Sequence, residues 1–245
     1  MELIKPVKER GDCAEAFLGL HYFYEAITGR NGERLGVEIT VRFSDSGSRT
    51  VRSNVYSENQ SILLKNICFR AKLLIAGLSI EKKSGANAHC TKVFIRVEKS
   101  ALLKQDVLLE IKQTVISLDR RLSKLVLIVD ASRVEFSRLN AMLIQNILTI
   151  KEWGGELALH SSGELGPETP LLNLNVYDYI FMDMAKLRLP FQSEADEAEY
   201  QALYETMCNV VQTCEVKFIA RNLKSHEHAV AAHAMPFRYF QTNRH

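Results

Sequence analysis

Apolar and polar residues alternate most clearly in Gly36-Val37-Glu38-Ile39-Thr40-Val41-Arg42-Phe43. Val37, Ile39, Val41 and Phe43 point one way while Glu38, Thr40 and Arg42 point the other, the period-two pattern of a two-faced strand. In a small sheet, the face carrying Glu38, Thr40 and Arg42 would simply be wet. Upstream, His21 to Ile27 is aromatic-rich and reads as a strand, and the Asn31-Gly32 pair between the two marks a hairpin. The first two strands are therefore expected to be antiparallel. Ser44 to Asn54 is a polar, Ser-rich loop with no apolar period. Glu58 to Leu78 is expected to be a helix whose Ile62, Leu63, Ile67, Leu74 and Leu78 spread over more than one face, which suits a layer lying on a sheet.

Strand and helix then alternate. Val93–Val97 is a short buried strand, Ala101 to Leu118 a helix with Leu102, Leu109, Val115 and Ile116 among its apolar positions, and Lys124 to Val129 a nearly continuous apolar strand. Leu139, Met142, Leu143, Ile147 and Ile150 form a helical stripe that Gly154-Gly155 stops. Glu156–His160 and Asp178–Asp183 read as strands. Ala198 to Cys214 is a helix with the stripe Leu203, Met207, Val210, Val211 and Cys214. Val216–Arg221 is a strand, Ser225–Ala234 a short helix and Phe237–Gln241 a final strand. Such repeats predict parallel pairing with right-handed crossovers, and eight strands fit a closed barrel. An open doubly wound sheet is the alternative, but no Gly-rich phosphate turn follows the early strands.

A length of 245 residues with 47% hydrophobic content suits one large core, so residues 1–245 read as a single domain. The formal charge of +2 gives no broad case for direct nucleic-acid binding. Cys13, Cys68, Cys90, Cys208 and Cys214 lack a metal spacing and read as reduced thiols of a cytoplasmic protein. Glu2, Lys5, Lys8 and Glu9 interrupt any secretory apolar region, and Lys65, Arg70 and Lys72 break the most apolar helix, so no membrane segment is expected.

Together, the order of elements and the Gly36–Phe43 strand resemble the EAL family of cyclic di-GMP phosphodiesterases, whose Glu-Ala-Leu triplet reads Glu38-Ile39-Thr40 here. The resemblance implies a modified (β/α)8 TIM-like barrel with an antiparallel first strand. The chain ends soon after Gln241, so the last helix is expected to be short or missing. In the family, two divalent metals need hard oxygen ligands at the C-terminal strand ends. Glu38 keeps the first ligand, but Arg96 takes the place of an Asn and Ile128 that of a Glu. The Asp pair becomes His160-Ser161, and the catalytic Lys becomes Phe181, although the Asp two residues on survives as Asp183. Arg221 and Lys224 replace two acids, and Gln241 holds a late Gln position.

Replacing acids by Arg or Lys adds repulsion to the loss of ligands. At ~4 Å and an effective dielectric of about 20, two unit charges interact by roughly 4 kcal/mol, and a divalent ion doubles it. The expectation is a vestigial pocket with no catalytic residues, no metal and no cofactor. Among relatives with such degraded motifs, the YdiV-like stand-alone proteins bind FlhD, a subunit of the flagellar master activator, and repress motility. This resemblance implies a cytoplasmic regulator acting through a protein partner, without cyclic di-GMP. The alternatives are a non-hydrolysing cyclic di-GMP receptor using Arg96, Arg221 or Lys224 on phosphates, and third a residual phosphodiesterase. Tyr200 and Tyr204, spaced i,i+4, are candidate exposed anchors for the partner, with half-buried packing as the other reading. His226, His228 and His233 lack the zincin order and read as a solvated helix face.

Overall fold

Asn31 and Gly32 turn the chain between β1 (Leu20–Gly29) and β2 (Arg34–Phe43), which pair antiparallel as the sequence predicts. Gly32 sits at φ 79°, in the left-handed region a tight hairpin turn requires. In this computed structural model the described residues are 20–43, 60–81, 91–130, 138–161, 175–186 and 193–241. The Ser44–Asn54 loop, Cys13, Cys90, the residues from 162 to 167 and those after Gln241 lie outside them.

Six further strands follow: β3 (Lys92–Arg96), β4 (Lys124–Asp130), β5 (Glu156–Ser161), β6 (Tyr179–Asp183), β7 (Lys217–Arg221) and β8 (Phe237–Gln241). They close a barrel in sequence order, parallel from β2 to β8, with β1 antiparallel to both β2 and β8. The hairpin fastens this closure. Arg30 donates from Nε to the Phe237 carbonyl (3.0 Å) and from Nη2 to the Met235 carbonyl (2.6 Å). At Gly36 strands β2 and β3 approach so closely that a Cβ would stand 2.1 Å from the Lys92 carbonyl oxygen.

Strand alternation divides the core in two. Outward residues such as Ile95, Leu127 and Ile180 pack beneath helices α1 (Gln60–Glu81), α2 (Gln105–Asp119), α3 (Arg138–Glu152), α4 (Glu194–Thr213) and α5 (His226–Ala234). Inward residues Phe94, Val126, Ile128, Ala158, Tyr179, Phe181, Ile219 and Tyr239 fill the barrel as a separate core. Phe94 meets Tyr179 and Phe181 edge-on, with ring centroids 5.5 and 5.7 Å apart. Below them, at the N-terminal end, Lys92 pairs with Glu156.

The predicted helix from Ala101 to Leu118 is in fact two pieces. A 3-10 turn, Ala101–Leu103, ends at an extended Lys104 before α2 begins. The break buries Leu102, and Asn146 of α3 donates to its carbonyl at 2.9 Å, satisfying a group the interrupted helix leaves over. Leu109 and Ile116, predicted as apolar-face residues, turn outward instead. Helix α4 starts four residues before the predicted Ala198. Ser193 caps it, accepting from the Asp196 N–H at 3.3 Å, and the acids Glu194, Asp196 and Glu197 suit the positive end of the helix.

Candidate functional site

On the six strands β3 to β8 an inward core residue is followed, two residues later, by a polar one at the C-terminal mouth. Phe94 leads to Arg96, Ile128 to Asp130, Ala158 to His160, Phe181 to Asp183, Ile219 to Arg221 and Tyr239 to Gln241. Glu38 joins them from β2. It is 0% exposed, so this strand face is the interior of a barrel and not the wet side of a small sheet.

The polar groups at the mouth largely bind one another. Gln241 Nε2 donates to Glu38 Oε2 at 2.5 Å and to Glu25 Oε2 of β1 at 2.8 Å, so one amide bridges two carboxylates that face each other across the hairpin. Arg96 lies between two acids, with Nε 4.0 Å from Glu38 Oε1 and Nη1 3.1 Å from Asp130 Oδ1. The His160 Nδ1 atom is 3.0 Å from the same Asp130 oxygen and 3.2 Å from Arg96 Nη1. The His160 ring holds the Asp130 carboxyl below its ordinary 3.8; partial burial works against this, and the Arg96 charge adds to the lowering. Asp183 accepts from Asn222 Nδ2 (2.9 Å) and from the Ala185 N–H (3.0 Å). Asn222 sits at φ 56°, a conformation Asn tolerates better than most residues.

Between this ring and α1 lies a cavity of about 280 Å³. Its polar lining is Glu38, Thr40, Arg96, Glu98, Asp130 and Arg221, and Leu63, Leu64 and Ile67 of α1 form an apolar wall. Buried polar atoms without a hydrogen-bond partner collect on its lining residues: Glu38 Oε1, Thr40 Oγ1, Arg96 Nη2, and Arg221 Nε and Nη1; Gln241 Oε1, beside Glu38, is another.

The sequence-predicted positions therefore separate into layers. Glu38, Arg96, His160, Asp183, Arg221 and Gln241 come together at the mouth. Ile128 and Phe181 lie one layer deeper, as packed interior core. Ser161 falls on the outward face of β5 by alternation and is buried there, while Lys224 is exposed and does not line the cavity. Sequence reading missed Asp130 and Glu25. Asp130 was legible as the polar end of an apolar strand, two residues beyond Ile128; Glu25 required the hairpin register.

Of the two tyrosines, Tyr200 shares the inward stripe of α4 with Leu203, Met207 and Val210, and its hydroxyl donates to the Ala231 carbonyl at 3.4 Å. It is half-buried, so packing prevails over the exposed-anchor reading there; Tyr204 is 36% exposed. On α5, Ser225 caps the helix through the His228 N–H and His233 stacks on Phe240. Among the described residues Cys68, Cys208 and Cys214 form no disulfide, and burial pushes the Cys68 thiol up to about 11.

The resemblance to a two-metal family can be tested on this donor set. Glu38 offers one free oxygen, but Asp130 and Asp183 are committed to neighbours and the Arg96 guanidinium occupies the space between Glu38 and Asp130. No three His, Cys, Asp or Glu side chains among the described residues are arranged to hold a metal. The residues present do not fit a pair of divalent cations.

The eight-stranded closure with one antiparallel strand is the barrel of EAL-domain proteins, and solved structures of that class superpose on it. The EAL enzyme Bd1971, with cAMP and cyclic di-GMP bound, matches with a TM-score of 0.68 and 13% identity over 91% of this chain. This chain spans 60% of that one's length. An EAL domain protein from Listeria monocytogenes EGD-e matches at 0.62 and 14% identity, covering 95% of this chain and 92% of its own. The EAL domain of Xanthomonas citri FimX, in complex with cyclic di-GMP, matches at 0.63 and 14%, covering 93% and 87%. No family model and no curated protein sequence matches the chain. No helix among the described residues is long and apolar enough to cross a membrane.

Proposed function

We propose that this protein is a non-hydrolysing EAL-like regulator that works by capturing a protein partner. The observation that carries the reading is the occupied mouth: Arg96 is held between Glu38 and Asp130, where a hydrolase of this fold needs free oxygens around a metal. Packing of Ile128 and Phe181 into the interior supports it further, because those positions contribute to the barrel core and present no ligand or base. A barrel kept without its catalysts is a binding scaffold. By its resemblance to YdiV-like proteins, the partner is FlhD and the outcome is repression of flagellar genes in the cytoplasm. Tyr204, with Val211 two helical turns on, belongs to the outer surface of α4 available for such capture.

The experiment is pull-down of FlhD beside a motility assay, with Glu38→Ala and Tyr204→Ala variants of matched thermal stability. Tyr204→Ala should lose capture and Glu38→Ala keep it. Loss through Glu38→Ala alone places the function in the cavity, and no capture by the wild type removes FlhD as the partner.

The second reading is a cyclic di-GMP receptor without turnover. It draws on the unpartnered guanidinium nitrogens of Arg96 and Arg221 and on the cyclic di-GMP complexes formed by proteins of the same fold. Calorimetric titration separates the two: the receptor binds saturably and more weakly in salt, the adaptor gives no saturable heat.

A further inference from the structure

Helix α1 is apolar on two opposite sides. Leu63, Leu64, Ile67, Cys68, Ala71 and Ile75 pack onto the barrel. Directly opposite, Ile62, Phe69 and Leu73 stand 46%, 52% and 37% exposed. With the half-buried Asn66 and Ala76 they form the series Ile62, Asn66, Phe69, Leu73, Ala76, whose alternating steps of four and three residues are the a/d seam of a coiled coil. A helix that is apolar all round belongs where both sides are covered. The cations of α1 are occupied within the chain. Lys65 and Lys72 pair with Asp106 (3.3 Å) and Glu110 (2.8 Å) of α2, and Arg70 lies over the Tyr22 ring of β1, 4.9 Å from its centroid. The flanks of the stripe therefore do not single out an acidic partner.

We propose that two copies of this chain pair through these stripes, about a two-fold axis running along α1. Asn66 selects this occupant. A carboxamide carries both donor and acceptor and so complements its own copy across the axis, and a lone Asn in an apolar seam fixes a parallel, in-register helix pair. The surface on either side of α1 fits the same axis. The ion pairs of Lys65 and Lys72 place α2 on one flank, and the contact of Arg70 places β1 on the other. A two-fold axis along the seam therefore sets α2 of each copy against β1 of the other. β1 passes to β2 through a hairpin, so among the described residues no crossover helix covers its outer face. Tyr24, which points outward there beside Ile39, is 46% exposed, and Leu109 and Ile116 are the exposed apolar residues of α2. The six exposed side chains amount to on the order of 600 Å² of apolar surface, as large as the largest patch on a typical monomer. With the polar residues between them they reach the roughly 800 Å² that each partner brings to a standard interface. The pairing leaves the outer surface of α4 free and stands whether or not a protein partner docks there.

The test is sedimentation equilibrium of the intact protein up to about 100 µM, with circular dichroism of each variant to confirm folding. The wild type should weigh twice the 27.8 kDa of one chain. Phe69→Glu, which puts a carboxylate into the seam, should weaken the dimer about a hundredfold or more, while Met142→Glu, on the exposed side of α3, leaves it unchanged. Oxidation of Asn66→Cys reads the register, because facing residues of a parallel seam come close enough for a disulfide. It should give far more covalent dimer than oxidation of the wild type, whose own cysteines serve as the background. A covalent yield no higher than that background overturns the parallel register, and a dimer that survives Phe69→Glu overturns the seam. A wild type that stays monomeric at about 100 µM overturns the proposal altogether. In that case a loss of thermal stability in Phe69→Glu means that another segment of the same chain covers the stripe, and no loss means that nothing does.

Discussion

Phe181 stands where the EAL resemblance places a catalytic lysine, and its removal measures how far that position has become core. Its ring is 0% exposed and meets Phe94 at 81° with centroids 5.7 Å apart. Truncating a buried Phe to Ala costs about 3–5 kcal/mol through lost transfer and the cavity left behind. The lost edge-on contact, about 0.5–1.5 kcal/mol, overlaps that figure, so Phe181→Ala should cost about 4 kcal/mol. Domains are stable by about 5–15 kcal/mol in total, so this is a large fraction of what holds the barrel together. Urea denaturation followed by far-UV circular dichroism reads it: with a slope near 3 kcal/mol/M, the midpoint should fall by about 1.3 M. Phe181→Lys, which restores the family residue, places an ammonium among Phe94, Ile128 and Ile219 and should destabilise at least as much without reviving turnover. A midpoint shift in Phe181→Ala below about 0.3 M, under 1 kcal/mol on that slope, would refute the claim that this position is structural.

Two further outcomes follow from the same geometry. Gly36→Ala drives a Cβ into the Lys92 carbonyl, a backbone atom that cannot step aside, so thermal unfolding should register a loss of about 1–3 kcal/mol. Asp130 has a folded-state pKa below its ordinary 3.8, so its contribution is present above that value and lost as pH falls through the lower folded one. The stability difference between wild type and Asp130→Asn should therefore be present at pH 6, stay within about 1 kcal/mol because the carboxylate is half exposed, and vanish toward strong acid; a difference that grows on acidification contradicts the assignment.

The barrel was legible because its strands state their two faces in the sequence. Apolar runs such as Lys124–Val129 could only be strands covered on both sides, and the Asn31-Gly32 turn announced the one antiparallel pair. What the pattern could not convey was depth. Ile128 and Asp130 share a face of β4, and only the closed barrel makes one interior core and the other the rim. The Gln241 bridge to Glu25 and Glu38 joins positions over two hundred residues apart, and it depends on closure between β1 and β8. Helical phase likewise offered Tyr200 and Tyr204 equally. Packing of α5 against α4 half-buries the first and leaves the second more exposed. The Ser193 cap is written in Ser193-Glu194-Ala195-Asp196, ahead of the apolar stripe that places the predicted start at Ala198.

The central claim is that the barrel mouth no longer supports phosphodiester hydrolysis. The direct measurement is chromatographic assay of cyclic di-GMP after prolonged incubation with the protein in Mg²⁺ or Mn²⁺. The account predicts that the cyclic dinucleotide is recovered intact, for the wild type and for Glu38→Ala alike. Protein-dependent appearance of the linear dinucleotide, abolished by Glu38→Ala, would contradict it.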